Sequence, residues 1–268
     1  MSKSTDEILR ELEAANVFGE GKPGTVATRT RRPVVPTISG LGGSGLVLLI
    51  IAIVLIAVVG SLPFGSTALY PFALFVTLVH ESGHALAAIA TGGSVASLRI
   101  RGDLSGVTLV QGGVESIVAP AGYLGATLAG VGLLTVPLRY ARWAIGALAA
   151  VPLATLLLFH PADSFTTVWC VAFGLALGAA AWKIPSRFLG LLQILLGVEV
   201  GLNAFRDIMT LLFISGTNSH IYTDAVLMSR ALFFPATVWA VMWAIVSVLL
   251  LLFALAMLVS RDVARLRS

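Results

Sequence analysis

The sequence predicts an all-α polytopic membrane protein, with about seven transmembrane helices and a short β-hairpin after the second helix. Hydrophobic residues make up 57% of the 268-residue chain and charged residues only 11%, whereas soluble domains carry roughly 25% charged residues. No charged residue occurs between Pro33 and Val79, a stretch longer than the ~20 apolar residues that one spanning helix needs. These observations predict an integral multi-pass protein, and the bacterial cytoplasmic membrane is the expected location.

The charge pattern excludes a nucleic-acid partner. The net charge is +4 and the sequence pI is about 9.6. However, the lysines and arginines are scattered at the ends of apolar runs, where anchoring to the lipid bilayer explains them. Cys170 is the single cysteine, so no internal disulfide can form. The oligomeric state is left open.

Residues 1–40 are predicted to form a polar tail in front of a transmembrane domain over 41–268. The segment "STDEILRELEAA" has a capping residue, early acids and apolar residues at helical spacing, which predicts a short amphipathic helix. The segment "GEGKPGTVATRTRRPVVPT" is rich in glycine and proline and predicts a flexible linker. The first apolar run is longer than the core of a signal peptide, so a retained anchor is expected.

Seven apolar runs have a length suited to spanning helices. They cover residues 41–62, 68–91, 116–138, 141–159, 164–182, 187–215 and 232–259. Between the second and third runs, "GSVASLRIRGDLSGVTLVQGG" alternates apolar and polar residues around a turn at residues 102–106, which predicts the β-hairpin. Lipid does not tolerate exposed strand edges, so this hairpin must lie at the interface or be covered by protein.

The orientation in the membrane is left open. Three arginines just before the first run favour a cytoplasmic N terminus. If all seven runs cross, the basic residues of later loops fall on the opposite side, together with the C-terminal tail "RDVARLRS". These loop residues are Arg139, Arg142, Lys183 and Arg187.

The stretch "VTLVHESGHALAAIATGG" places His80, Glu81 and His84 inside an apolar helix. His80 and His84 are four residues apart, so both side chains project from one helix face and can bind one Zn²⁺ at about 2.0–2.1 Å. Glu81 can then act as general base toward a water activated by the metal. A chance match on a solvated helix is the alternative. The apolar surroundings argue against it, because three ionisable groups at bilayer depth need a shared metal or a cavity.

A catalytic zinc site needs a third protein ligand. In the sixth run Glu199, Asn203 and Asp207 follow at four-residue steps and form one polar stripe. If the second and sixth runs cross in the same direction, Asp207 lies at the depth of His84, so Asp207 is the predicted third ligand. The alternative is that Asp207 pairs with an arginine near the interface. Asp224 lies beyond the sixth run, where the sequence predicts a loop that would have to fold back.

The chain resembles a known family in two segments. "HESGHALAAIATGG", the hairpin and "VAPAGYLGATLAG" are similar, over roughly residues 75–130, to the site-2 proteases, the zinc metalloproteases that cut transmembrane helices. The helix with Asn203 and Asp207 resembles the second conserved segment of that family. The chain departs from the usual family pattern in having Tyr123 where proline follows Ala-Gly, and in having neither proline nor glycine beside Asp207. It therefore resembles a divergent bacterial branch.

The resemblance implies a set of roles and a substrate class. It implies His80, His84 and Asp207 as zinc ligands, Glu81 as the catalytic base, Asn203 as a substrate-binding residue, and one catalytic zinc ion. It also implies that the hairpin lies beside the site, where it could pair with an unwound transmembrane protein substrate. The expected function is intramembrane zinc peptidase activity. The alternatives are a catalytically inactive pseudoprotease or membrane chaperone, and an ion-coupled transporter.

Overall fold

The computed structural model describes residues 44–217 and 223–267, and also Asp6 and Arg10, which are both helical. The predicted tail over residues 1–40 lies almost entirely outside these residues. Its amphipathic helix and linker therefore stay predictions.

The described residues form eight α-helices and one β-hairpin. The helices are α1 (Gly45–Ser61), α2 (Gly65–Ala90), α3 (Glu115–Thr135), α4 (Ala141–Leu158), α5 (Ser164–Lys183), α6 (Ser186–Thr217), α7 (Asp224–Ala231) and α8 (Ala236–Arg267). The strands are β1 (Ser94–Ile100) and β2 (Gly106–Gln111). Within the described ranges, six helices are long and apolar enough to cross a membrane, while α1 is apolar but has only 17 residues. The predicted fold class is confirmed, and the first predicted run is a shorter helix.

Helix α3 lies between α2 and α6, and two glycines bring the three helices together. A Cβ atom at Gly130 of α3 would lie 3.0 Å from the backbone nitrogen of Gly201 on α6. A Cβ at Gly83 of α2 would collide with the carbonyl oxygen of Ala121 on α3. Small residues at such positions let helix backbones approach closely, which is a main source of packing energy within a membrane.

The β-hairpin packs against the helices, and its first strand is covered by protein, which was one of the two expected arrangements. Its strands pair antiparallel from Ser94 opposite Gln111 to Ile100 opposite Gly106. Leu98 is fully buried, and it packs with apolar residues of α2 and α5. The outer edge of β1 is closed by the loop after α4, because the amide of Ala162 donates to the Leu98 carbonyl at 3.0 Å. Among the described residues, strand β2 therefore has the open edge of this two-stranded sheet.

The start of α1 lies at the same end of the bundle as the end of α8. Asp262 on α8 accepts hydrogen bonds from the Ser44 hydroxyl at 2.6 Å and from the Leu46 amide at 2.8 Å. Arg261 donates to the Thr135 carbonyl at the end of α3. Gly45 and Leu138, which precedes α4, line one small cleft with Asp262. The expected division of basic residues between two sides of the membrane assumes seven complete crossings, and α1, with 17 residues, is shorter than the six helices that are long enough to cross.

Candidate metal centre

Helix α2 places the two histidines as the sequence predicted. The Nε2 atoms of His80 and His84 lie 3.0 Å apart, and the ring centroids are 4.7 Å apart. His84 is buried, and its Nδ1 lies 2.7 Å from the carbonyl oxygen of Val118 on α3. A carbonyl can only accept, so Nδ1 carries the proton and donates it. The Nε2 lone pair of His84 is therefore free to bind a metal.

Asp224 supplies the carboxylate that lies beside both histidines. Its Oδ2 atom is 3.4 Å from the Nε2 of His80 and 3.4 Å from the Nε2 of His84. The expectation that Asp224 belongs to a loop is wrong, because Asp224 is the first residue of α7. The Thr223 hydroxyl caps this helix by accepting from the Val226 amide at 3.3 Å.

Short helix α7 reaches the histidines because it is docked on three longer helices. Ala225 and Met228 are buried in a cluster that includes Ala119 of α3 and Ile208 of α6, and Trp243 of α8. The sequence carried a signal for this helix in "TDAV", where a threonine cap is followed by an acid in the first turn. The signal predicts a helix start, but not where that helix packs.

Two other predicted site residues lie on α6. The backbone of Asp207 is helical, but its side chain lies outside the described residues, so its role as third ligand stays a prediction. The geometry favours Asp224 for that role. Asn203 is described, and its Nδ2 donates to Glu199 Oε1 at 2.7 Å. Its predicted part in substrate binding also stays a prediction.

The Nε2 atoms of His80 and His84 and the Oδ2 atom of Asp224 are close enough to one another to hold one metal ion. With zinc–ligand bonds of about 2.0–2.2 Å, neighbouring ligand atoms of a tetrahedron lie about 3.3–3.6 Å apart. The observed separations among His80, His84 and Asp224 are 3.0, 3.4 and 3.4 Å. Gly122 keeps the space between the histidines open, because a Cβ there would lie 2.6 Å from His80 Nε2 and even closer to His84 Nε2.

The hairpin holds Glu81 beside this site. Glu81 is buried, and its Oε2 accepts a hydrogen bond of 2.6 Å from the Thr108 hydroxyl on β2. A Cβ at Gly106 would lie 2.5 Å from Glu81 Oε1, so the first residue of β2 must be small. Neither contact follows from the sequence pattern. The period-two pattern predicts the strand, but it does not show which strand residue meets the glutamate.

A cavity of about 740 Å³ joins these groups. Its lining includes His80, Glu81, His84 and Asp224, and most of strand β2 from residue 106 to residue 110. Tyr123 forms another part of the wall, with its ring centroid 4.5 Å from that of His80 in an edge-to-face contact. The cavity is thus large enough to admit a peptide segment, and residues of β2 line it together with the two histidines and Asp224.

A helical membrane protein with two histidines and a glutamate on one buried helix, joined by an aspartate from a distant helix, has the architecture of a membrane metallopeptidase. The family model described as Peptidase M50B-like matches residues 46–254, and the chain belongs to that family. This confirms the resemblance to the site-2 proteases. M50 peptidases are zinc enzymes. Neither the curated proteins nor the solved structures that were compared with the chain give a match.

Proposed function

We propose that this protein is an intramembrane zinc endopeptidase that hydrolyses peptide bonds within or next to transmembrane segments of other membrane proteins. The observation that supports this function most directly is the triangle of His80, His84 and Asp224 atoms, at 3.0–3.4 Å, around the space that Gly122 leaves open. In this proposal Asp224 replaces Asp207 as the third ligand. The bacterial cytoplasmic membrane remains the expected location.

Each residue of the centre has a chemical task. A zinc ion held by the two histidines and Asp224 would polarise the scissile carbonyl and lower the pKa of a bound water to about 7. Glu81 takes the proton of the attacking water and later delivers a proton to the leaving amine. The Thr108 hydroxyl holds Glu81 Oε2 at 2.6 Å, which leaves Oε1 for the proton transfer. His84 is oriented by its bond to the Val118 carbonyl.

The substrate must present an extended peptide to this centre. In a helix the peptide bonds are shielded by the neighbouring turns, so a transmembrane substrate has to unwind locally before attack. Unwinding exposes N–H and C=O groups that need partners in a lipid environment. The open edge of β2 lines the same cavity as Glu81 and can supply those partners by strand addition. Segments weakened by glycine or proline are the expected substrates.

The test combines metal content with cleavage of a model transmembrane substrate by the detergent-purified protein. We expect about one zinc per chain, loss of zinc in His80→Ala and His84→Ala, and cleavage by the wild type. Zinc binding without cleavage would instead identify a pseudoprotease or chaperone. A protein that keeps its zinc after both histidines are replaced would exclude the proposed centre altogether.

A further inference from the structure

A second buried carboxylate lies on α6 and does not line the cavity of the metal centre. Glu199 is only 4% exposed. Its Oε1 accepts the 2.7 Å hydrogen bond from Asn203, whereas its Oε2 is buried without a partner among the described residues. A buried carboxylate oxygen that has lost its water and gained no donor is costly. Glu199 therefore offers an acceptor that only a ligand or a water can satisfy within the described part of the chain.

Glu199 borders two cavities between α1, α2 and α6. The smaller cavity has a volume of about 230 Å³, and among the described residues that line it Glu199 alone is ionisable. The larger cavity has a volume of about 570 Å³ and is also lined by Asn203 and Arg206. Leu202 and Gly60, which also line it, are exposed, so this cavity opens to the molecular surface. The larger cavity thus connects the molecular surface with the wall to which Glu199 belongs.

The larger cavity lies along the same face of α2 as the catalytic residues. Tyr70 and Ala73 line it, and helical steps of three or four residues lead from them through Thr77 to Glu81. The hairpin turn at residues 102–106 borders both regions, because Leu104 lines this cavity and Gly106 lines the cavity of the metal centre. The Leu104 carbonyl also accepts a 2.9 Å hydrogen bond from the Thr77 hydroxyl of α2. At 1.5 Å per residue the two regions are about 12–16 Å apart. An extended chain covers that distance with about four or five residues.

The charged residues that line the larger cavity limit the kinds of side chain that can bind there. A carboxylate would be repelled by Glu199, and a lysine or arginine would bring a second positive charge next to Arg206 at bilayer depth. A primary amide has both a donor for Glu199 and an acceptor for the guanidinium.

We propose that Glu199 forms a specificity subsite that receives the side-chain amide of an Asn or Gln in the transmembrane substrate. This inference rests on the proposed peptidase function. The amide lies about four or five residues from the scissile bond, as the spacing along α2 requires. Glu199 Oε2 accepts one amide hydrogen. Asn203 is a positioning residue, because its hydrogen bond to Oε1 leaves Oε2 for the substrate.

The experiment measures binding and cleavage of one series of transmembrane peptides that differ only in the position of a single Asn in a Leu-rich segment. Binding is measured with the Glu81→Gln protein, so that the peptides stay intact. We expect Asn to lower the Kd by about tenfold, relative to Leu, at one position about four or five residues from the cleaved bond. Glu199→Leu in the same background should abolish this preference.

Gln193→Leu is the matched control. Gln193 is also a buried polar residue of α6, but its amide donates to the carbonyls of Leu133 and Val136 instead of lining either cavity. This variant should keep the Asn preference. Glu199→Gln retains the volume without the charge, so the preference should shrink but persist, which covers the case in which Glu199→Leu does not fold.

The outcomes separate the subsite from the peptidase function. Cleavage by the wild type with no Asn preference at any position overturns the subsite and leaves the peptidase function intact. An Asn preference in binding without cleavage supports the subsite and overturns the peptidase function. An Asn preference that survives in a folded Glu199→Leu protein also overturns the subsite.

Discussion

Replacement of Gly122 by alanine should remove zinc from the centre without unfolding the protein. The new Cβ would lie 2.6 Å from His80 Nε2, and closer still to His84 Nε2. Non-bonded carbon and nitrogen atoms rarely come closer than about 3.4 Å, so the His80 ring would have to withdraw by roughly 0.8 Å. Zinc–nitrogen bond lengths vary by only about 0.2 Å. At least one histidine is therefore lost as a ligand.

The assay is zinc content per chain after detergent purification, followed by competition with a chelator for the metal. Gly125→Ala is the matched control, because a Cβ there meets only the Gly83 Cα, at an ordinary contact distance of 3.6 Å. Both substitutions favour the helix by about 1 kcal/mol through backbone entropy, so helical content should not fall in either protein. If Gly122→Ala binds one zinc as tightly as the wild type, the space between the histidines is not the metal site.

Three further predictions concern the other residues of the centre. Glu81→Gln should keep its zinc while cleavage falls by about 10²-fold or more, because the amide cannot take the proton of the water; undiminished cleavage would exclude Glu81 as the base. Asp224→Asn should bind zinc markedly more weakly, since a neutral amide is a poor ligand, whereas Asp207→Asn should have metal content near that of the wild type; the reverse result in metal analysis would restore Asp207 as the third ligand. Thr108→Val removes the hydrogen bond to Glu81 and should lower kcat by about tenfold, while the zinc content stays unchanged. If the variant loses zinc as well as activity, Thr108 supports the metal site instead.

The sequence pattern by itself determined those features of the protein that depend only on residues close together in the chain. Four-residue spacing on one helix places His80 and His84 together whatever the rest of the fold does, because helical periodicity alone sets that distance. The alternation of apolar and polar residues around "GDLSG" likewise determined the hairpin. Strand edges cannot be exposed to lipid, and the edge of β1 is covered by the loop after α4. Composition and run length were sufficient for the membrane class, since the bilayer imposes a fixed apolar length.

Only the tertiary structure decided which carboxylate meets the histidines. The expectation that Asp207 lies at the depth of His84 assumes that the second and sixth runs are straight, comparable helices, whereas helix α2 contains Pro71 and is followed by the β-hairpin. Asp224 reaches the site because α7 buries Ala225 and Met228 against α3, α6 and α8, contacts that lie far apart in sequence. The distances between a metal and its ligands can vary by only a few tenths of an ångström. Positions this accurate result from the packing of whole helices against one another, which the spacing of residues within one helix does not encode.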